Sequence, residues 1–142
     1  MQIHYKHEGI ATFDTTPETV FRYMSAGDHR HVAFKSHRLV SISGNLVTLA
    51  VEAYNPDGST FMATIIHTLN PPSGVETRMS GGPFDGARFV HTYTPAGGKT
   101  KVDLEGDFPA FAGISEAEEL RMIDRFFTTI FAEDMATLRN WS

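Results

Sequence analysis

The sequence predicts an α+β protein in which a curved antiparallel sheet of about seven strands wraps around one long C-terminal helix. Three observations indicate this class. Short strand-like runs follow one another between Gly- and Pro-rich turns, a long amphipathic pattern closes the chain, and a single strand with two short helical segments opens it. The 142 residues, 41% of them hydrophobic, suffice for one core, so we expect residues 1–142 to form a single domain.

The opening strand is predicted over Gln2–Phe13, where apolar and polar residues alternate. Gly9 interrupts the alternation and indicates a bulge or a close backbone approach. The later strands are short and joined by tight turns, which is typical of antiparallel hairpins. We predict them at Leu39–Ile42, Leu46–Tyr54, Phe61–Leu69, Val75–Met79, Arg88–Tyr93 and Lys101–Phe108.

Two short helices are predicted between the first strand and the hairpins. Thr16 can cap a helix whose first residue is Pro17, a position where the missing N–H costs nothing. Gly27 is the predicted end of this helix. A second short helix or turn is expected through His31 and Phe34.

The C-terminal helix is predicted over Ser115–Trp141. Ser115 and Glu118 have the spacing of a capping box, in which each side chain bonds the other residue's backbone N–H. A helix of this length, about 40 Å, needs a broad partner surface, and the preceding sequence offers only strands. The apolar residues recur at spacings of three and four and share one face: Leu120, Ile123, Phe127, Ile130, Phe131, Leu138 and Trp141.

Composition limits the partners and the compartment. Seventeen acidic against twelve basic residues give a formal charge of −5, which argues against nucleic acid or an anionic membrane as the partner. The chain has no cysteine, hence no disulfide, thiolate metal site or thiol nucleophile. A polar N-terminus and the lack of a long apolar run predict neither a signal peptide nor stable membrane insertion. We expect a cytoplasmic protein without a cofactor.

Two local motifs carry a resemblance to a known superfamily. Phe13–Phe21 (FDTTPETVF) is similar to the strand-to-helix entry of the START-like helix-grip superfamily, also called SRPBCC, and Gly98–Val102 (GKTKV) is similar to its last hairpin. The superfamily includes polyketide cyclase/dehydrase-like proteins, pollen-allergen-type proteins and lipid-transfer domains. The resemblance implies a cavity between sheet and helix. It implies no single reaction, because this fold hosts several functions and no catalytic motif carries over.

Seven histidines raise the question of a metal site. His29 and His31 are two residues apart, near Asp28 and His37. That spacing places two side chains about 200° apart on a helix, which suits one metal poorly. We therefore predict no metal site and interpret these residues as polar loop residues.

His67 and His91 are stronger candidates for a functional role. His67 lies between Ile65 and Leu69, and His91 between Phe89 and Tyr93, so strand alternation places each with apolar neighbours. A polar group inside an apolar pocket needs a partner or a ligand. The alternative is a core histidine bonded to a neighbouring side chain or to water.

Periodicity also predicts in which direction three charged side chains point. Asp134 falls near the centre of the apolar face of the C-terminal helix, where it could pair with a cavity histidine, but we favour a solvated position past the end of the sheet. Arg78 and Arg88 alternate against apolar neighbours and are predicted to point outward. Gly81–Gly86 lacks the spacing of a phosphate loop and is predicted to be a turn.

These observations lead to three functional hypotheses. The first is a carrier or sensor for a small hydrophobic or amphipathic molecule, held between sheet and helix. The second is a cyclase, dehydratase or hydrolase in which His67 or His91 is the general acid/base, oriented by Tyr93 or Asp134. The third is a homodimeric module without a ligand. The predicted cavity lining is Phe61, Ile65, His67, Met79, Phe89, His91, Tyr93, Phe127, Ile130 and Phe131.

Overall fold

The structure is a computed structural model that describes residues 2–25, 31, 34–55 and 57–139. Within these residues it contains seven strands and two helices, and their order is the one that the sequence predicts apart from the second short helix. The strands are β1 (Gln2–Phe13), β2 (Phe34–Ser43), β3 (Leu46–Tyr54), β4 (Thr60–Asn70), β5 (Gly74–Ser80), β6 (Arg88–Ala96) and β7 (Lys99–Pro109). The helices are α1 (Pro17–Met24) and α2 (Glu116–Leu138).

The strands form one antiparallel sheet in the order β1-β7-β6-β5-β4-β3-β2. Consecutive strands from β2 to β7 are hairpin neighbours, because turns this short can join only antiparallel strands. β1 pairs with β7, with Gln2 opposite Pro109 and Phe13 opposite Thr100. β1 and β2 are therefore the two edges, and the predicted fold class is confirmed.

One of the two hydrogen bonds of the predicted capping box is present at the start of α2. The Ser115 hydroxyl accepts a hydrogen bond from the Glu118 N–H at 3.2 Å. The helix has 23 residues and is therefore about 35 Å long. It crosses the concave face of the sheet, where it packs over β1. Ile123, Phe127 and Phe131 are buried on the predicted apolar face. The predicted helix end at Trp141 lies outside the described residues.

The first helix begins as predicted. The Thr16 side chain accepts from the Thr19 N–H at 3.4 Å, and Pro17 is the first helical residue. The helix ends at Met24 with Ser25 as its C-cap, whereas the predicted end, Gly27, lies outside the described residues. Residues 26–30 and 32–33 also lie outside them, so only part of the second predicted helix can be compared. Its last residue, Phe34, begins β2 and is not helical.

The predicted irregularity at Gly9 is a bulge in β1. The register with β7 shifts between His7 and Ala11. Gly9 has a φ of +68°, which glycine adopts without a Cβ clash, and its N–H donates to Asp103 Oδ1 at 2.7 Å. After the bulge, Ala11 and Phe13 are buried again, so the strand keeps its inner face on the core.

The core divides into two unequal parts. We call β1, β6, β7, α1 and α2 the packed half, and β2, β3 and β4 the open half. The packed half holds the larger cluster of buried apolar residues, which includes Tyr5, Phe13, Val102, Leu104, Phe108, Ile123, Phe127 and Phe131. The smaller cluster, in the open half, consists of Val51, Ala63 and Ile65 with partly buried neighbours.

Candidate functional site

A cavity of about 690 Å³ lies between the concave face of the sheet and α2. Its wall is mostly apolar because the inward positions of β3, β4 and β5 alternate with outward polar ones. The aliphatic part of the wall comes from the strands: Leu39, Ile42, Val47, Leu49, Val51, Ile65, Leu69 and Val75. The aromatic part comes from both layers: Phe34, Phe84, Phe89, Phe108, Phe126, Phe127 and Phe131.

Most of the lining residues predicted from the sequence are on this wall. They are Ile65, His67, Met79, Phe89, His91, Phe127, Ile130 and Phe131. Strand alternation was therefore a sound guide to which side chains point inward in β4, β5 and β6. Phe61 and Tyr93 are not on the wall, although both have inward parity.

Local packing removes these two aromatic residues from the cavity. The Phe61 ring occupies the space where a side chain at Gly82 would project, under the loop between β5 and β6. Tyr93 is 3% exposed, and its ring contacts the ring of Phe21 on α1 at a centroid distance of 6.5 Å. Alternation fixes the face of a side chain, but it does not show which other elements cover that face.

The two predicted histidines each bond a hydroxyl group. His67 Nδ1 lies 2.8 Å from Thr77 Oγ1, directly across the β4–β5 pair. His91 Nδ1 lies 2.8 Å from Tyr93 Oη. The His91 ring also packs edge-on against Phe131 of α2, at a centroid distance of 6.0 Å. Both imidazoles thus lie on the cavity wall with their Nδ1 atoms in contact with the protein.

Asp134 is buried on the cavity wall, so the solvated position that we favoured is wrong. Asp134 is 1% exposed, and its Oδ1 accepts a hydrogen bond from the Tyr23 hydroxyl at 3.0 Å. His31 Nε2 lies 3.6 Å from the same oxygen, and His31 Nδ1 lies 3.7 Å from Glu133 Oε2. Tyr23 of α1 and His31 thus both contact the end of α2, which the sequence pattern of α2 alone could not show.

The phenol of Tyr93 stays protonated in this environment. Burial, and secondly the charge of Asp134, raise the pKa of Tyr93 well above its ordinary value. Both effects disfavour a phenolate, since an anion loses its hydration and faces a second negative charge. Tyr93 is therefore a hydrogen-bond donor at neutral pH.

Several wall residues were not identified from the sequence as part of the site. Thr77 is 2% exposed and shares strand parity with Val75 and Met79, which was a usable signal. His31 and His37 were interpreted as polar loop residues, but both line the cavity. His31 lies beside Glu133 and Asp134 of α2, a contact between distant parts of the sequence.

No family model and no curated protein sequence matches the chain. Solved structures do match it. The chain is similar to Ara h 8.0201, with a TM-score of 0.78 and 17% identity over 99% of this chain and 100% of that one. The protein has the START-like helix-grip fold. It is also similar to the aromatase/cyclase Zhui from Streptomyces sp. R1128, with a TM-score of 0.70 and 11% identity over 97% of this chain and 92% of that one.

A further helix-grip structure is the di-domain aromatase/cyclase StfQ from the steffimycin biosynthetic pathway. It matches with a TM-score of 0.71 and 12% identity over 96% of this chain and 53% of that chain. Identities this low show the shared fold and no shared activity. The resemblance stated from the FDTTPETVF and GKTKV segments is thereby confirmed for the fold.

Outside the helix-grip cavity, a second hollow of about 670 Å³ lies between β1 and α2 and is open to solvent. Its lining is largely polar and includes Lys6, Arg121 and Arg125. At its base the Tyr5 hydroxyl donates to Asp124 Oδ1 at 2.6 Å, while His7 Nδ1 lies 2.9 Å from the same oxygen. These contacts fasten the edge strand to the helix.

Two further predictions concern the orientation of the arginines on the convex face and the absence of a metal site. Arg78 and Arg88 point outward as predicted, and both bond Glu76. Among the described residues, no group of three or more possible ligands is placed to hold a metal ion. His29 lies outside them, so the absence of a metal site stays a prediction, which elemental analysis of the purified protein would check.

Among the described residues, no helix has the length and apolar character of a membrane span.

Proposed function

We propose that this protein binds a small hydrophobic or amphipathic molecule in the cavity between the sheet and α2, as a carrier or sensor. The observation that carries the proposal is the cavity itself, with a volume of about 690 Å³ and a wall of aliphatic and aromatic side chains. Few polar groups interrupt this wall, chiefly His67, His91, Thr77 and Asp134. A mostly apolar hollow with a few placed polar groups is the usual form of a small-molecule site.

The energetics of the wall support the same proposal. Wall side chains contact other protein atoms on one side only, so an apolar ligand in the cavity would form dispersion contacts with them and would itself leave water. Leu39 and Ile42 are on the wall and yet 51% and 63% exposed. The cavity therefore reaches the surface along β2, where a ligand could enter.

An enzyme of the cyclase, dehydratase or hydrolase kind is the second candidate. The Asp134–His31 contact favours it, because a buried carboxylate beside an imidazole on a cavity wall could move a proton to or from a bound molecule. His67 or His91 would be the general acid/base, with Tyr93 or Asp134 as its orienting partner. Two of the similar structures carry the words aromatase/cyclase or ARO/CYC in their names, which makes aromatic polyketides a class to test.

The test of the binding proposal is fluorescence of N-phenyl-1-naphthylamine, a neutral apolar probe that brightens in apolar surroundings. We expect saturable binding to the wild type and its loss in Leu49→Trp, which fills the cavity. Leu46→Trp is the matched control, since Leu46 is 42% exposed on the other face of the same strand. Equal binding by both variants, or none by the wild type, would contradict the proposal. Mass spectrometry of small molecules extracted from the purified protein would then identify the natural ligand.

Three other expectations remain predictions. We propose that residues 1–142 act as one domain, in the cytoplasm and without a cofactor.

A homodimer is the third functional candidate, and the exposed apolar residues of the open half favour it. Val40, Leu46 and Met62 are 50%, 42% and 64% exposed. Light scattering coupled to size-exclusion chromatography, repeated on Val40→Glu, would show whether this face joins two copies.

A further inference from the structure

The β2–β3 hairpin exposes a group of neighbouring apolar side chains. Leu39, Val40, Ile42 and Leu46 are each between 42% and 63% exposed. We call these four residues the hairpin patch. Single exposed apolar residues are ordinary on a protein surface, whereas a group of neighbours marks a surface that contacts something apolar.

The hairpin patch lies on both faces of the sheet. Leu39 and Ile42 are on the cavity wall, whereas Leu46 lies on the convex face, because the next residue, Val47, is on the wall. Leu39 and Ile42 share a face because the register with β3 shifts beside Val40, which is the extra residue of a bulge. A folded protein partner usually covers one face of a sheet, while a lipid phase surrounds both faces of a hairpin tip.

The free edge of β2 is poorly suited to pairing with a second copy of this chain. The register of β2 with β3 shifts at two places, between positions 34 and 36 and between positions 39 and 41. Such bulges bend an edge strand and interrupt the row of backbone groups that an added strand would need. The geometry therefore favours contact of the hairpin patch with lipid over strand addition.

The charge around the hairpin patch is positive, although the chain as a whole is acidic. Residues 34–51 contain Lys35 and Arg38 and no Asp or Glu, whereas the whole chain has a formal charge of −5. Lys35 is paired with Glu52 at 3.6 Å. Arg38 is exposed, and it has no ion pair among the described residues. The net charge argued against an anionic membrane, but it averages over faces that would lie more than a screening length, about 10 Å, from the bilayer.

The tip of the hairpin is fastened to the neighbouring strand by hydrogen bonds. The Leu69 N–H donates to the Asn45 carbonyl oxygen at 2.8 Å, and the Asn45 side-chain amide donates to the Leu69 carbonyl oxygen at 3.2 Å. These bonds satisfy polar groups of the turn that would otherwise cost free energy in apolar surroundings. The hairpin patch is thus a preformed part of the sheet, so contact with lipid does not require it to fold.

We infer that the hairpin patch docks on the surface of a lipid bilayer that contains anionic lipids, with Arg38 among the phosphates and Ile42 and Leu46 against the acyl chains. Leu39 and Ile42 also line the mouth of the cavity, so docking places that mouth against the bilayer. An apolar ligand would then pass between bilayer and cavity without crossing water. The inference goes beyond the proposed binding function, because the contact surface can exist whatever the cavity holds.

Labelled single-cysteine variants test the contact directly, since the chain has no cysteine of its own. Leu46→Cys would carry a nitrobenzoxadiazole group, whose emission rises when it leaves water for lipid. Met62→Cys is the matched control on the same face, because Met62 is 64% exposed and pairs with Glu52, about 20 Å along β3 from Leu46. With phosphatidylcholine vesicles that contain roughly 30% phosphatidylglycerol, emission should rise at least about twofold at position 46 and stay unchanged at position 62.

Vesicle sedimentation separates the apolar part of the contact from the charged part. Ile42→Ser should weaken binding to the anionic vesicles roughly tenfold, because the exposed isoleucine side chain no longer leaves water. Arg38→Gln should weaken it about fivefold, and should change nothing on vesicles of phosphatidylcholine alone. Arg121→Gln, at an exposed position of α2, is the matched control and should bind both kinds of vesicle as the wild type does.

Three results would overturn the inference: no binding to the anionic vesicles, no rise of emission at position 46, or an equal rise at positions 46 and 62. A rise at position 46 that follows protein concentration without vesicles would also overturn it, because a second copy would then cover the hairpin patch. Failure of N-phenyl-1-naphthylamine to bind in the absence of vesicles would instead refute the proposed function. The vesicle measurements use no cavity ligand, so the two failures are distinguishable.

Discussion

The packed half and the open half contain similar strands, but they differ in how deeply the side chains of the concave face are buried. In the packed half, side chains such as Val102 and Phe108 are 0% and 1% exposed because α1 and α2 cover them. In the open half, Leu39 and Ile42 face the same side of the sheet and remain 51% and 63% exposed. One long helix covers only part of a seven-stranded sheet. The cavity is the space between α2 and the part of the concave face that α2 does not contact.

Under the proposed function, this difference assigns stability and binding to separate strands. The larger buried cluster joins β1, β6 and β7 to both helices, whereas the smaller cluster consists of Val51, Ala63 and Ile65. Among the described residues, the exposed large hydrophobic side chains lie on β2, β3 and β4, apart from Met122. Substitutions in the packed half should therefore reduce the free energy of unfolding, and substitutions on the cavity wall should change binding.

Deletion of residues 115–142 should have the largest effect, because it uncovers the packed half. Ile123, Phe127 and Phe131 would be lost, and the inner face of β1 and β7 would meet water. We expect loss of cooperative unfolding in thermal and urea melts followed by circular dichroism. A truncated chain that unfolds cooperatively at nearly native stability would show that the sheet does not depend on α2, and it would remove the basis for the comparison.

A matched pair of valines measures the contrast between the halves. Val102→Ala should cost roughly 2 kcal/mol of unfolding free energy, since its methyl groups are fully buried and leave a cavity when removed. Val47→Ala, on the cavity wall, should cost less than about 1 kcal/mol because its surroundings are already loosely packed. Urea denaturation at one pH gives both values. Equal losses would mean that the open half is as tightly packed as the other.

The fold was predictable because its signals are local. Alternation, turn residues and the Ser115–Glu118 cap depend on neighbours in sequence, so the order of elements and most of the inward residues of β4, β5 and β6 followed from them. The bulge at Gly9 also followed, because a glycine that interrupts an alternating strand usually marks a bulge or a close backbone approach.

The site was less predictable because it depends on which elements cover each other. Asp134 sits on the buried face of α2, as its periodicity indicates, but only the Tyr23 and His31 contacts show that it is enclosed. Tyr93 has the strand parity of a wall residue, yet Phe21 of α1 packs against its ring. Its hydroxyl is hydrogen-bonded to His91. Such contacts join residues far apart in sequence, and no spacing rule within one strand or helix contains them.

The wall histidines should affect both properties, since each bonds a buried hydroxyl of the sheet. His67→Phe should lower the free energy of unfolding by about 1–2 kcal/mol, because the buried Thr77 hydroxyl would lose its hydrogen-bond partner. The double variant His67→Phe/Thr77→Val should recover most of that loss, since both polar partners are then removed. Urea melts of the single and double variants provide the measurement. A single variant as stable as the wild type would indicate that the Thr77 hydroxyl finds another acceptor.

The smallest expected effect lies at the seam between β5 and β6, where the packed half meets the strands that border the open half. On the convex face Glu76 of β5 bonds Arg88 of β6 at 2.9 Å and Arg78 at 3.0 Å. The hydrogen bond from Arg88 is the largest cause that holds the pKa of Glu76 below its ordinary value of 4.5; burial opposes it, and the weaker hydrogen bond from Arg78 adds to it. The folded state therefore favours the ionised carboxylate more than the unfolded chain does.

The pH dependence of this contact follows from the sign of that shift. A lowered pKa stabilises the fold above the unfolded value of 4.5, and the contribution is lost as the pH falls through the lower folded value. Because Arg88 is about half exposed, solvent screens the pair, and Glu76→Gln should cost only about 0.5 kcal/mol at pH 7. Urea melts of Glu76→Gln, Arg88→Gln and the double variant give the coupling energy, which should be smaller at pH 3 than at pH 7. A coupling that is the same at pH 7 and pH 3 would show that the two side chains stabilise the seam by packing and not by charge.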